Sequence, residues 1–411
     1  MRQQKKSFWY KLAALFLLLA LTVPVLCACG GGGEEETPTG TTIDTNTIAP
    51  TATPTPMSSG PVKIGAITSW SGAGAAFGLG IADPVIKLVE KQVKDMGGIL
   101  GGREVTVVKY DNRASVAEAT AGATKLFFDD KVSVLVFGGI SGAEANAIAT
   151  FADENEILFV SQGSVADFEK RKFSVIATFG AKQMAEGITN IVNKIMNARK
   201  IAILGSDITD SRNRVDNYKM LIEPTGAKVV YEQYAPIGTI DYTPYLTKIM
   251  YQNPDALILD MNATAEYLTV AKQIADVGGW GNIKVATIPG GDGAKKLAGA
   301  QGWYVLVAWA TGLSHPGAVK FEQDYKAMYG NLPSATAAYP YNCLWTAIHA
   351  IELAGTDDPM KIGLAARSGS LEWETPMGLA RYTVANGGYP GLIPTIAHIE
   401  NNALVIVNIP E

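Results

Sequence analysis

Cysteine is scarce in this chain of 411 residues, with three in all, at positions 27, 29 and 343. The first two stand at the end of an N-terminal apolar run. Only Cys343 is left in the body, so no intramolecular disulfide can form among residues 30 to 411, and stability has to come from packing. Histidine is as thin, with His315, His349 and His398 its only occurrences. Three scattered imidazoles, one body thiol and no calcium-loop spacing make no dedicated ligand set, so neither a metal nor another cofactor is expected. No phosphate-cradling glycine loop followed by Lys-Ser or Lys-Thr occurs. Basic charge is not in excess: 34 Lys+Arg against 39 Asp+Glu give a net charge of -5. That balance argues against nucleic acid as the main partner and points to a small molecule. Apolar residues are plentiful, at 47% hydrophobic against 18% charged, which is globular composition. A chain this long is expected to build two cores, because single cores stop growing well before 400 residues.

The ends of the chain differ from its body. Arg2, Lys5, Lys6 and Lys11 precede or open an apolar run from Leu12 to Leu26, the layout of a secretory leader. The run is shorter than the roughly 20 residues a membrane span needs. It ends Leu26-Cys27-Ala28-Cys29-Gly30, which resembles a bacterial lipobox, and Cys29 is the better acceptor because Ala28 precedes it directly and Leu26 stands three residues before it. A leader over residues 1–28 and lipidation of Cys29 are therefore expected, with export removing four basic residues and leaving a more acidic protein. Two or three acyl chains, at roughly 0.8 kcal/mol per buried methylene, would anchor it stably. Residues 29–60 follow as a stretch rich in Gly, Glu, Thr and Pro without apolar residues to bury, read as a disordered tether of about 30 Å root-mean-square reach.

From Val62 onward, short β-branched runs alternate with longer segments of helical period, the pattern of α/β units with mainly parallel strands. Strands are expected at 62–68, 104–110, 132–137 and 157–161, with helices near 77–96, 115–128 and 143–154. A second series repeats the pattern, with strands near 200–204, 228–234, 256–259 and 284–288 and helices near 181–197, 212–223, 243–252 and 264–277. After 303–307 the chain returns to helices at 316–329, 341–354 and 359–367 and ends in strands at 395–398 and 404–407. Too few strands remain for a third domain, so these elements should complete the first two. The fold class is α/β, with two doubly wound, Rossmann-like lobes.

The residues that carry chemistry sit where such strands end. Gly72-Ala73-Gly74 follows the first strand, but Phe77 stands where a dinucleotide turn needs its third glycine and no acidic residue follows at the usual distance. Gly139-Ile140-Ser141-Gly142-Ala143 falls one residue short of a nucleophile elbow, which needs glycine at 143, and His349 lies mid-helix among apolar residues. The chain is therefore not expected to be an enzyme, a serine hydrolase at Ser141 being the remote alternative. The free N–H groups opening the helix after Ser141 suit a carboxylate or other polar group. Ser161 to Ser164 ends the next strand at the same edge. In the second half the corresponding edge carries 207–210, 260–262 and Gly290-Gly291-Asp292, so loops of both halves are expected to meet at one cleft.

Taken in order, these segments resemble the leucine/isoleucine/valine-binding family of type I periplasmic binding proteins, the substrate-capturing subunits of ABC importers. The matching pieces are Val62 to Ala66 with Ser71-Gly72, Gly97-Gly98-Ile99 before Gly101, Val108 to Asn112 with its Tyr110-Asp111, Phe137-Gly138-Gly139, Ile157 to Gly163, Arg199 to Ile203 and Asp255 to Leu259. The resemblance covers Val62 to Glu411. It implies a Venus-flytrap of two lobes joined by a three-strand hinge, with crossings near 177–180, 307–311 and 379–382, and a surface that docks on a membrane permease. The implied division is 61–178 plus 311–379 for the first lobe and 179–310 plus 380–411 for the second. The family's carboxylate-gripping serine matches Gly142, with Ser141 beside it. Its Ala-Thr pair matches Ser164 and Val165, and its ammonium-pairing acid matches Gly290, two residues from Asp292. One second-lobe aromatic matches Ala263, another Asp210, and the first-lobe aromatic wall matches Phe77.

The candidate ligand-binding set is thus Trp70, Phe77, Ser141, Gly142, Gly163, Ser164, Asp210, Asn262 and Asp292. The expected function is an extracytoplasmic, lipid-anchored, monomeric binding protein that delivers a small polar ligand to an ABC permease. An apolar amino acid leads, and an amide or small organic acid is also open. The alternative is a ligand-sensing surface module for a receptor.

Overall fold

The computed structural model describes residues 59–409 apart from positions 140, 164, 166, 167, 277, 280, 385 and 387. The expected leader, Cys29, nearly all of the tether, and Ser164 lie outside the described residues.

Five short runs build the first sheet: β1 (Val62–Thr68), β2 (Val105–Asp111), β3 (Val134–Phe137), β4 (Leu158–Ser161) and β5 (Ser174–Ile176). They lie in the order β2-β1-β3-β4-β5, all parallel. Every residue of β3 and β4 is buried, as a strand covered on both faces requires. Their alternate side chains enter different cores. Val134, Val136, Leu158 and Val160 join one cluster, and Leu135 and Phe159 the other. Helix α1 (Asp83–Asp95) packs in the first cluster, and α2 (Val116–Phe128) and α3 (Gly142–Asn155) in the second.

The second sheet repeats the order. Strands β6 (Lys200–Ser206), β7 (Lys228–Ala235), β8 (Ala256–Asp260), β9 (Lys284–Thr287) and β10 (Tyr304–Val307) run β7-β6-β8-β9-β10 in parallel. Two antiparallel strands, β13 (Thr395–Glu400) and β14 (Ala403–Ile406), extend the β10 edge to seven. Helices α4 (Ala181–Asn190), α5 (Thr209–Ile222), α6 (Thr243–Gln252) and α7 (Thr264–Asp276) contribute to its core. The later helices α8 (Pro316–Tyr329), α9 (Ala338–Ala354) and α10 (Pro359–Arg367) return to the first sheet's core.

The chain passes between the sheets after β5, after β10 and before β13. The last passage comes later than the expected 379–382. Those residues belong to β12 (Gly378–Tyr382), which pairs antiparallel with β11 (Leu371–Thr375) in a hairpin of its own. Ala380, Tyr382 and even Leu392 are buried in the first sheet's core. A lobe boundary at 379/380 would cut this hairpin in half, and the apolar face of β12 is what holds it on the first side. The three-residue β5 and this hairpin are the strands that the sequence pattern did not indicate.

Candidate functional site

In both sheets the strand order reverses beside the first strand, and the loops at the carboxyl ends of the strands there face a shared cavity of about 310 Å³. On the first side the wall is mostly backbone and ring. β3 ends at Phe137 and passes into Gly138 and Gly139, the three φ angles being +85°, +97° and +82°. A phenylalanine held there is strained by roughly 1–3 kcal/mol, of the kind that persists where the surroundings over-determine it. At Gly139 a Cβ would lie 2.1 Å from Glu144 Oε2, so the turn admits no side chain. Glu144 is 1% exposed and is fixed by a capping box: the Ser141 amide donates to Glu144 Oε2 at 3.1 Å and the Glu144 amide to Ser141 Oγ at 3.4 Å. The Ser141 hydroxyl oxygen thereby helps to start α3, whose first turn puts Gly142 opposite Asp210.

The next loop is tied to this one. Gln162 Nε2 donates to the carbonyl of Gly139 at 3.0 Å, Thr178 Oγ1 donates to the carbonyl of Gln162 at 3.1 Å, and Gln162 Oε1 is buried without a partner. Gly163 follows on the cavity wall. Phe77, Phe179 and Tyr339 supply the apolar surface, the last two in edge contact with ring centroids 6.1 Å apart. Burial pushes the Tyr339 hydroxyl well above its usual range, so it stays neutral.

The second lobe contributes charge. Asp210 and Arg214, four residues apart on α5, both line the cavity, with Asn262, Thr264 and Gly290. Arg214 is 9% exposed and is held by Asp260, which ends β8 and is completely buried. Arg214 Nε donates to Asp260 Oδ2 at 3.0 Å and Nη2 to Oδ1 at 2.6 Å, while the Tyr218 hydroxyl donates to the same carboxylate. Burial opposes the charge on Arg214, but the Asp260 carboxylate more than offsets it and holds the guanidinium above its ordinary pKa. Across the cavity, a Cβ on Gly142 would stand 2.7 Å from Asp210 Oδ2. The Asp210 carboxylate therefore sits directly in front of the first turn of α3.

Of the sequence-derived candidates, Phe77, Ser141, Gly142, Gly163, Asp210 and Asn262 come together on the cavity wall. Trp70 and Asp292 do not. The Trp70 indole donates to Asp83 Oδ1 at 2.6 Å and its amide to Asp111 Oδ1 at 2.9 Å, which locks it beside β2. Asp292 is 7% exposed and turns back to accept from the amide of Gly290 at 3.1 Å, with burial raising its pKa. Ser164 lies outside the described residues. Sequence reasoning missed Arg214 and Tyr339, and it put the segment holding Gln162 at this edge without naming that side chain as a candidate. For Arg214 a signal existed: Asp260 closes an unbroken apolar strand, and a buried carboxylate demands a cation.

Comparison with known proteins agrees with this architecture. A solved structure of LivJ from Streptococcus pneumoniae, a branched-chain amino acid transporter substrate binding protein in complex with isoleucine, is 21% identical, with a TM-score of 0.73 over 84% of this chain and 99% of that one. A solute binding protein of an ABC transporter from Rhodopseudomonas palustris, in complex with 3,4-dihydroxybenzoic acid, is 23% identical, with a TM-score of 0.74 over 84% and 96%. Among curated proteins, the Leu/Ile/Val-binding protein BraC3 of Rhizobium johnstonii is 24% identical over 253 residues, 61% of this chain and 65% of that protein. The match thus spans just under two thirds of that relative's length. The family model described as periplasmic binding protein matches residues 61–389, so the chain belongs to the periplasmic binding protein family.

Proposed function

We propose that this protein is the extracytoplasmic substrate-binding subunit of an ABC importer, held at the membrane through Cys29 and its tether, which captures a small polar ligand between its lobes. The observation that carries the reading is the cavity itself, lined by strand-end loops of both sheets, so that a bound molecule touches both lobes at once. At about 310 Å³ it is at the small end of ligand pockets, which suits a metabolite of amino-acid size. The Rhizobium relative named for Leu, Ile and Val and the Streptococcus structure with isoleucine support an apolar amino acid. The Rhodopseudomonas structure with an aromatic acid keeps small organic acids in view.

No bond is broken in this mechanism. A ligand that contacts both lobes binds the closed form better than the open one and shifts the population toward closure, which is the shape a permease would receive. Isothermal titration of the folded body against apolar amino acids, their amides and benzoate-type acids tests the reading, with small-angle scattering recording compaction at saturation. Binding without compaction, or no binding to any class, refutes it. For the anchor, radiolabelled palmitate should enter the wild-type protein in a bacterial host and not the Cys29→Ala variant.

A further inference from the structure

We infer that the charged end of the ligand is read from the second lobe, by Arg214 and Asp210 on one face of α5, and that this pair selects a zwitterion. The inference rests on the reading of the cavity as a ligand cleft and reverses the orientation that the family resemblance implies. There the ligand carboxylate sits at the start of α3. Here that place is taken by the protein's own Asp210, whose Oδ2 lies where a Cβ on Gly142 would be 2.7 Å away. A second carboxylate brought to the same spot meets like charge, which is unfavourable in a closed cleft.

The anionic end needs another partner, and Arg214 is built for the task. Its Nε and Nη2 are engaged by Asp260, and Tyr218 steadies that carboxylate from the other side. Nη1 has no hydrogen-bond partner among the described residues, on a side chain that is buried and lines the cavity. A guanidinium fixed along one edge and free at the remaining nitrogen is preorganised, so little rotamer entropy is lost when it takes a carboxylate.

Asp210 is one helical turn earlier on the same face, the spacing at which side chains are neighbours. Its carboxylate accepts no hydrogen bond from a described residue and forms no ion pair with Arg214, whose charge goes to Asp260. An acid and a base side by side, each with unspent capacity, match the adjacent ammonium and carboxylate of an α-amino acid. The side chain of that ligand then faces Phe77, Phe179 and Tyr339 across the cavity.

The test is isothermal titration of L-leucine, L-phenylalanine and their desamino analogues, 4-methylpentanoate and 3-phenylpropionate. The proteins are wild type, Asp210→Asn, and Arg214→Gln combined with Asp260→Asn, which keeps the buried pair neutral and hydrogen-bonded. Circular dichroism melts establish that each is folded. Wild type is expected to bind an amino acid and to discriminate against its desamino analogue. Loss of one charge-assisted contact predicts that Asp210→Asn binds the amino acid about 10- to 100-fold more weakly, with the desamino acid unweakened. The double variant should lose affinity for both. Folded variants that bind the amino acid within about threefold of wild type overturn the inference. Wild-type binding of the desamino acids alone, or of none of the four while an amide or a benzoate-type acid binds, also overturns it and leaves the cleft reading standing, whereas no binding of any of these classes overturns both.

Discussion

The two lobes share a strand order and present the same edge to the cavity, yet they furnish it differently. The first gives mostly backbone and rings, Gly138, Gly139, Gly142, Gly163, Phe77 and Phe137, with uncharged polar groups such as the Gln162 amide beside them. The second gives side chains with charge and amide groups, namely Asp210, Arg214 and Asn262. Topology therefore fixes where a site forms and leaves its polarity to the local residues. A repeated fold can make a dipolar cleft by loading one half with glycine and the other with an acid and a base.

The largest expected effect breaks the charged half. Arg214→Met leaves Asp260 buried without its cation, which should cost about 3–5 kcal/mol in urea unfolding. The Arg214→Gln, Asp260→Asn pair should recover most of this loss. If Arg214→Met costs no more than a surface substitution, the second lobe does not depend on this pair and the two lobes do not differ in this way.

The next effect belongs to the first lobe and appears with pH. His349 on α9 lies between Trp345 and Trp373, with ring centroids 5.6 and 5.3 Å away, and burial lowers its pKa to about 4. Its folded pKa is below the ordinary 6.5, so the unfolded chain takes up the proton first. Stability is complete above about pH 6.5 and declines as pH falls toward about 4, by an amount on the order of 3 kcal/mol from this residue. Denaturation midpoints of His349→Phe should lose that part of the acid slope, and an unchanged slope would assign it elsewhere.

Smaller effects sharpen the contrast at the cleft. Gly139→Ala combines a positive φ with overlap on Glu144 and should cost about 2 kcal/mol in thermal unfolding, through loss of the α3 cap. Gly142→Ser should barely change stability, by under about 0.5 kcal/mol, because Asp210 is half-exposed and can move aside. Its mark should be a more open ligand-free particle in small-angle scattering, relieved by Asp210→Ala.

Most of the fold was legible because its strands are short apolar runs and its helices long periodic ones. The 62–68 run, for example, coincides with β1 to the residue. β5 was not legible, since three residues carry no period, and β11 and β12 were hidden by the expectation of a crossing there. At the site, the loops after β3, β4, β6 and β8 were readable from glycine and polar residues at strand ends. Trp70 follows β1 closely, but Asp83 takes its indole and Asp111 its amide, away from the cavity. Arg214 was easily passed over because an arginine within Ser-Arg-Asn-Arg reads as a solvated helix face, and the one sign that it turns inward is Asp260 at the end of an apolar strand.

Cys343 is wholly buried in α9, and burial pushes its thiol up, so in the native fold it is neither reachable nor ionised. Lacking a neighbour to bridge with, it becomes a built-in stopwatch. At maleimide concentrations high enough that capture outpaces reclosing, its labelling rate becomes the rate at which that helix is exposed, a readout of breathing that requires no engineered label.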